Sequence, residues 1–205
     1  MIAAVVLAAG GSTRLGRPKQ VLPLAGRPVL AHVLEAAAAS PVDEVVVVLG
    51  HAARQVLTAL STGLADRPSG SPAVRFALNP WWSLGQSTSL RAGLLAASPD
   101  AEACVVLLGD QPGVRREAIA RVVEAWREGA GPVVQASYSG RPAHPTLVAR
   151  PVWPHLDEVR GDEGARAILS LHPEWRHLVE VGGDPPGDID TEADYARVRR
   201  ELERI

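Results

Sequence analysis

Residues 2–7 are apolar at every position, and the run ends in a turn containing Gly10, Gly11, Ser12, Arg14, Gly16 and Lys19. An unbroken apolar run of this length reads as a strand covered on both faces, so the chain must place layers on either side of a sheet. Residues 44–49, apolar after Glu44, and 103–108 repeat the pattern, and 74–78 and 132–136 are further strand signals. Helical faces lie between them: Leu30, Val33, Leu34 and Ala37 behind Pro28; Val56, Leu57, Leu60 and Leu64; Ile119, Val122, Val123 and Trp126. Strands alternating with helices predict a three-layer α/β/α, Rossmann-like fold on a mostly parallel mixed sheet.

Some segments depart from the alternation. Residues 134–138, a Ser139-Gly140 turn and residues 146–149 predict an antiparallel excursion around Pro142 and Pro145. Thr191, with Asp194 three residues on, predicts the start of a last helix whose apolar face is Tyr195, Val198, Leu202 and Ile205. Residues 64–73, rich in Pro, Ser and Gly, read as a loop and not a boundary, which leaves one domain over 1–205.

Composition narrows the partners. A formal net charge of −2 gives no broad basic field for nucleic acid. The single cysteine, Cys104, lies in an apolar run and reads as a core residue in a reducing, cytoplasmic setting. Residues 1–9 lack the basic start of a signal peptide, and no apolar run approaches the roughly 20 residues needed to span a bilayer. The expectation is a cytoplasmic protein with neither a nucleic-acid nor a membrane partner.

The turn after the first strand carries chemistry. Glycines let backbone N–H groups approach an anion, and Arg14 and Lys19 supply positive charge, which suits a nucleoside triphosphate. The spacing is not that of a P-loop, because no Gly-Lys-Ser/Thr follows Gly11, and it misses the G-x-G-x-x-G fingerprint. Gly109-Asp110-Gln111-Pro112 follows a strand as well, so Asp110 is expected at the same sheet edge. A carboxylate beside a triphosphate implies an intervening cation, and Mg²⁺ commonly takes one or two carboxylates plus phosphate oxygens. Asp188-Ile189-Asp190-Thr191 could supply the second acid. Residues 79–90 run from Asn79 through Trp81, Trp82 and Gly85 to a hydroxyl-rich helix start, which can hold an anion or a polar ligand edge; capping by Ser87 is the rival reading. The six histidines show no metal-ligand spacing, and His144 stands alone.

Taken in order, these blocks resemble the molybdenum cofactor cytidylyltransferases, among the small MobA-like nucleotidyltransferases. The match runs through Leu7-Ala8-Ala9-Gly10-Gly11-Ser12-Thr13-Arg14-Leu15-Gly16 with Pro18-Lys19; Asn79-Pro80 with residues 85–90 and Gly93; Gly109-Asp110-Gln111-Pro112; His144-Pro145; and residues 161–166 with Asp188-Ile189-Asp190-Thr191. Ala143 stands where that family commonly has Gly, and Gln86 where Met is frequent.

The resemblance implies CTP as nucleotide, a molybdopterin-type acceptor, Mg²⁺, and a recipient molybdoenzyme or its maturation chaperone as a further partner. It assigns nucleotide contacts to Leu7, Ala8, Ala9, Gly10, Gly11, Ser12, Arg14, Lys19, Gly85 and Ser89. Acceptor contacts fall to Asn79, Ser87 and His144, catalysis to Lys19, Arg14 and Asp110, and the metal to Asp110 and Asp190. Ala8-Ala9, where guanylyl-transferring relatives often show Ala-Gly-Gly, leans toward a pyrimidine. The alternatives are another triphosphate or another phosphorylated acceptor such as a sugar phosphate, or a non-catalytic carrier of the cofactor.

Overall fold

The computed structural model describes residues 1–65, 69–156, 161 and 169–202, the side chains of 62–65 excepted. Its centre is β1 (Ile2–Ala8), flanked by parallel β4 (Glu44–Leu49) and parallel β6 (Ala103–Leu108). β5 (Ala73–Leu78) continues the parallel set beyond β4. On the other side, β8 (Arg141–Ala149) runs antiparallel to β6, and β7 (Val133–Tyr138) antiparallel to β8. β9 (Arg176–Glu180) closes that edge parallel to β7. Among the described residues the order is β5-β4-β1-β6-β8-β7-β9, and β2 (Pro23–Leu24) pairs separately with β3 (Arg27–Pro28).

The predicted apolar runs explain the layering. Alternate residues of β1 feed opposite cores. Ile2, Ala4, Val6 and Ala8 pack with side chains of α1 (Val29–Ala38), α2 (Ala53–Ala65) and α4 (Arg116–Arg127). Ala3, Val5, Leu7 and Ala9 pack with Leu90 and Leu94 of α3 (Gln86–Ala96) and with Leu156 of α5 (Trp153–Leu156). Each fully buried Val or Leu contributes about 1.5–3 kcal/mol relative to exposure, so both faces of the central strand are committed. Cys104 is fully buried among the apolar side chains of the second core, as expected of a packing residue, and burial pushes its thiol above the usual range.

Gly93 lets α3 lie close to the sheet. A Cβ there would run into Val5 and come within 3.0 Å of Val48 Cγ2. Gly93→Ala would gain about 1 kcal/mol of helix propensity, but two β-branched side chains held in a sheet cannot yield. The expected net loss is about 1–2 kcal/mol, read as a lower urea midpoint at unchanged slope.

The expected elements are present, with shifted ends. The helix at 53 runs through Ala65, past the expected loop start at 64, and residues 66–68 of that expected loop lie outside the described residues. The hairpin forms, and positive φ at Ser139 (53°) and Gly140 (78°) matches the twist of its strands. Its second strand begins at Arg141, because a register shift between Gln135 and Ala136 absorbs the prolines. Ser87 is not the cap: Gly85 precedes the helix at φ 108°, and Ser87 lies buried within the first turn. Thr191 and Asp194 do cap α6 (Glu192–Leu202) reciprocally, at 3.0 Å and 3.2 Å. The Leu64 side chain and Ile205 lie outside the described residues. No described helix is long and apolar enough to cross a membrane.

Candidate active site

The strand order reverses between β1 and β6, and ligands of open α/β sheets bind where the order reverses, beyond the carboxyl ends. Gly10-Gly11 leaves β1 there, and Gly109-Asp110 leaves β6. The Gly109 N–H donates to Leu7 O at 2.9 Å. A Cβ on Gly109 would meet the Ala8 Cβ at 2.8 Å, so the two turns meet at backbone distance because residue 109 is glycine.

The β1 turn is held by its carbonyls. Gln20 is fully buried, and its Nε2 donates to Ala8 O (3.0 Å) and Gly10 O (3.3 Å). The His51 N–H donates to Ala9 O at 3.0 Å. The N–H groups of Gly10, Gly11, Ser12 and Thr13 meet no acceptor among the described residues. A Cβ on Gly10 would touch nothing within 4 Å, so that side of the turn is open. Consecutive free N–H groups on an open turn form an anion-binding concavity.

Ser12 serves the turn itself. At φ 52° its carbonyl accepts from Leu15 and Gly16, and its Oγ accepts the Lys19 N–H at 3.1 Å. Farther out, Arg17 pairs with Glu192 at 2.7 Å, and Tyr195 OH donates to Pro23 O. Leu15, Leu22, Leu24, Val29, Ile189, Tyr195 and Val198 form a small third core beneath these contacts. The last helix therefore holds residues 15–29 against the segment that bears Asp190.

Lys19 is the electrostatic centre. Its Nζ donates to Asp110 Oδ2 at 2.5 Å and to Asp190 Oδ1 at 2.9 Å, and Arg14 Nη2 donates to Asp190 Oδ2 at 2.7 Å. Gln111 holds the neighbouring Asp188 at 2.8 Å, and the Ile189 N–H donates to Asp110 O at 3.1 Å. Burial pulls the Lys19 ammonium down, but the charge and hydrogen bonds of the two carboxylates outweigh it and hold it above its ordinary value. Burial raises Asp110 more than Lys19 lowers it, while the Lys19 hydrogen bond holds Asp190 below the usual carboxylate range.

Asp110 and Asp190 converge on one ammonium, so they are the carboxylates that could hold a cation here. Oxygen donors of this kind suit Mg²⁺ or Mn²⁺. Among the described residues no group of three or more His, Cys, Asp or Glu side chains gathers at one point. A cation held here would complete its shell from phosphate and water.

The structure brings Leu7 through Ser12, Arg14, Lys19, Asp110 and Asp190 together. The expected acceptor residues are set differently. Asn79 is buried with its amide committed: Nδ2 donates to Thr88 Oγ1 (2.9 Å) and Ser89 Oγ (3.0 Å), and Oδ1 accepts the Trp81 N–H (2.9 Å). Ser87 is buried as well, and so is Ser89, which was expected on the nucleotide, so these three side chains shape the loop from inside. Gly85 abuts the Gly161 backbone: a Cβ on it would come within 2.5 Å of Gly161 O. The rest of 161–166 lies outside the described residues. His144 is half-buried, with Nδ1 at 3.2 Å from Val106 O. Sequence reasoning missed Gln20, His51 and Trp82. A glutamine between Lys19 and the apolar Val21-Leu22 was the available signal for the first; His51, directly after β4, offered none.

The MobA-like NTP transferase domain model matches residues 4–179. The bifunctional protein GlmU of Burkholderia ambifaria (strain MC40-6) is 39% identical over 127 residues, 61% of this chain and 26% of that protein, so the chain spans about a quarter of such relatives. The nicotine blue oxidoreductase of Paenarthrobacter nicotinovorans is 33% identical over 177 residues, covering 82% of this chain and 81% of that protein. The structure of an Rv0371c homolog from Mycobacterium sp. strain JC1 superposes with a TM-score of 0.83 at 33% identity, covering 99% of this chain and 97% of that one. Rv0371c of Mycobacterium tuberculosis H37Rv, in complex with manganese, gives 0.78 at 30% identity over 97% and 98%. A family model spanning most of the sheet, together with a relative matched over most of both lengths, shows that the chain belongs to the MobA-like NTP transferase domain family.

Proposed function

We propose that this chain transfers CMP from CTP to the terminal phosphate of a molybdenum-loaded molybdopterin, with release of pyrophosphate. The observation that carries the transferase chemistry is Lys19 between Asp110 and Asp190, beside a row of free N–H groups. The CTP and pterin assignments rest on the sequence resemblance, Ala8-Ala9 included.

In the proposed reaction an acceptor phosphate oxygen forms a bond to the α-phosphorus. The bond from that phosphorus to the α–β bridging oxygen breaks, and pyrophosphate leaves with the electron pair. A phosphate monoester has a second pKa of about 6, so the nucleophile is already anionic at neutral pH and needs no protein base. The chain's task is positioning and charge neutralisation. The N–H groups of Gly10 to Thr13 orient the polyphosphate. Lys19 and Arg14, the latter 69% exposed along its side chain and able to swing, neutralise the leaving group. Asp110 and Asp190 would hold Mg²⁺, which supplies Lewis-acid neutralisation of phosphate charge; the manganese complex of a structural neighbour supports a divalent ion here.

The test is pyrophosphate release with Mg²⁺ and molybdenum-loaded molybdopterin, comparing CTP, GTP and ATP. Strong preference for CTP is the expected result. Preference for GTP would move the assignment to guanylyl transfer, and release only with a sugar phosphate would move the acceptor. Turnover with none would overturn the reading in favour of a carrier, or of a redox enzyme such as the Paenarthrobacter relative's name states.

A further inference from the structure

Trp82 has no part in the chemistry above, yet its side chain is wedged against the nucleotide turn. A Cβ on Gly11 would meet Trp82 Cζ3 at 2.9 Å and Cη2 at 3.3 Å. A Cβ on Gly50, at the end of β4, would meet Trp82 Cβ at 2.6 Å and Cγ at 2.7 Å. The ring also meets the edge of His51, centroid to centroid 5.2 Å, and the His51 N–H is bonded to Ala9 O. The loop from which Trp82 projects is itself fixed. The Asn79 N–H donates to Leu49 O at 2.7 Å, and the Asn79 side chain ties the loop to the first turn of α3. Trp81, its neighbour, is 65% exposed and has no such seat.

Gly10 and Gly11 face opposite conditions. Gly10 is open to a ligand, whereas Gly11 is covered by the indole. Glycine loses more freedom on ordering than any other residue. A turn with two glycines and no support would spend binding energy on its own ordering, and a ring packed on the backbone removes part of that cost before the ligand arrives. Resting on the nucleotide-binding reading above, we infer that Trp82 is a positioning residue for the triphosphate: its indole fixes Gly11 and so preorders the turn that carries the free N–H groups of Gly10 to Thr13.

The experiment is calorimetric titration of the full chain with Mg-CTP, and with Mg-GTP and Mg-ATP, for wild type, Trp82→Ala, Trp82→Phe, Trp81→Ala, Gly11→Ala and the Gly11→Ala/Trp82→Ala double variant. Circular dichroism checks each fold. Trp82→Ala is expected to weaken the preferred nucleotide about tenfold or more, with Trp82→Phe recovering most of the loss. Trp81→Ala should bind like wild type, and kcat at saturating nucleotide should fall less than affinity does. Gly11→Ala should weaken binding by pushing on the ring, and should add little once the ring is gone. Affinity of folded Trp82→Ala within twofold of wild type overturns the inference alone. A wild type that binds no triphosphate overturns it together with the nucleotide reading. Should Trp82→Ala fail to fold, Gly11→Ala and a Gly11→Ala/Trp82→Phe double variant decide: unchanged affinity of Gly11→Ala, or a loss that the added Trp82→Phe does not relieve, overturns the inference, and a loss that it relieves supports it.

Discussion

Asp110→Asn is expected to abolish nucleotidyl transfer while leaving the fold intact, with turnover down by about a thousandfold or more. The side chains are nearly isosteric, and the local backbone does not depend on the carboxylate. Asp110 O accepts from Ile189 N–H, and the Gln111 N–H donates to Leu108 O, so the turn after β6 keeps its shape. Lys19 keeps Asp190 as a partner. What disappears is one of two anionic oxygen donors at the point where the strand order reverses. An amide oxygen binds a divalent cation weakly and cannot offset its charge. The measurement is pyrophosphate release at saturating CTP and Mg²⁺, with near-wild-type thermal unfolding as the control for folding. Activity within tenfold of wild type would remove Asp110 from the metal assignment.

The parts of this site that were legible in the sequence are those set by local rules. A short apolar run rich in β-branched residues and bounded by turn signals reads as a strand covered twice, so β1, β6 and, after Glu44, β4 followed from the residues at each position. Gly10, Gly11 and Asp110 then fell at strand ends, where topology puts ligands. Less legible were contacts that depend on which side chains meet across the fold. Asn79 lies in a loop and Ser87 at a helix start, and the family resemblance implied acceptor contact for both. The structure spends Asn79 on internal hydrogen bonds and buries both. Trp82 reaches Gly50 and Gly11, each separated from it by tens of residues, and nothing in local periodicity encodes that meeting. Gln20 is similar: its use depends on the turn at 8–10 folding back over it. The cation pattern was half-read. Lys19 and Arg14 were recognised as charges for phosphate, but their pairing with Asp190 is a tertiary fact.

That pairing makes a prediction whose two effects run in opposite directions. Lys19→Met keeps the length and apolar stem of the side chain and removes the charge. Turnover should fall about a hundredfold or more, because an ammonium that neutralises developing phosphate charge is lost. Binding of a divalent cation without nucleotide should instead become tighter, by about tenfold. In the structure the ammonium touches both Asp110 and Asp190, so it neutralises the acids that a metal ion needs. With methionine in its place, Asp110 loses its ammonium partner while Asp190 keeps Arg14, so the site faces an entering cation with one more net negative charge. The Lys19 backbone stays tied through its N–H to Ser12 Oγ, so the turn is not expected to collapse. Mn²⁺ titration followed by electron paramagnetic resonance separates the two effects. If Lys19→Met loses turnover and also binds Mn²⁺ no better than wild type, the ammonium is not standing where the cation goes. Lys19 would then act on phosphate alone, and the metal would have to be sought at other oxygens of the site.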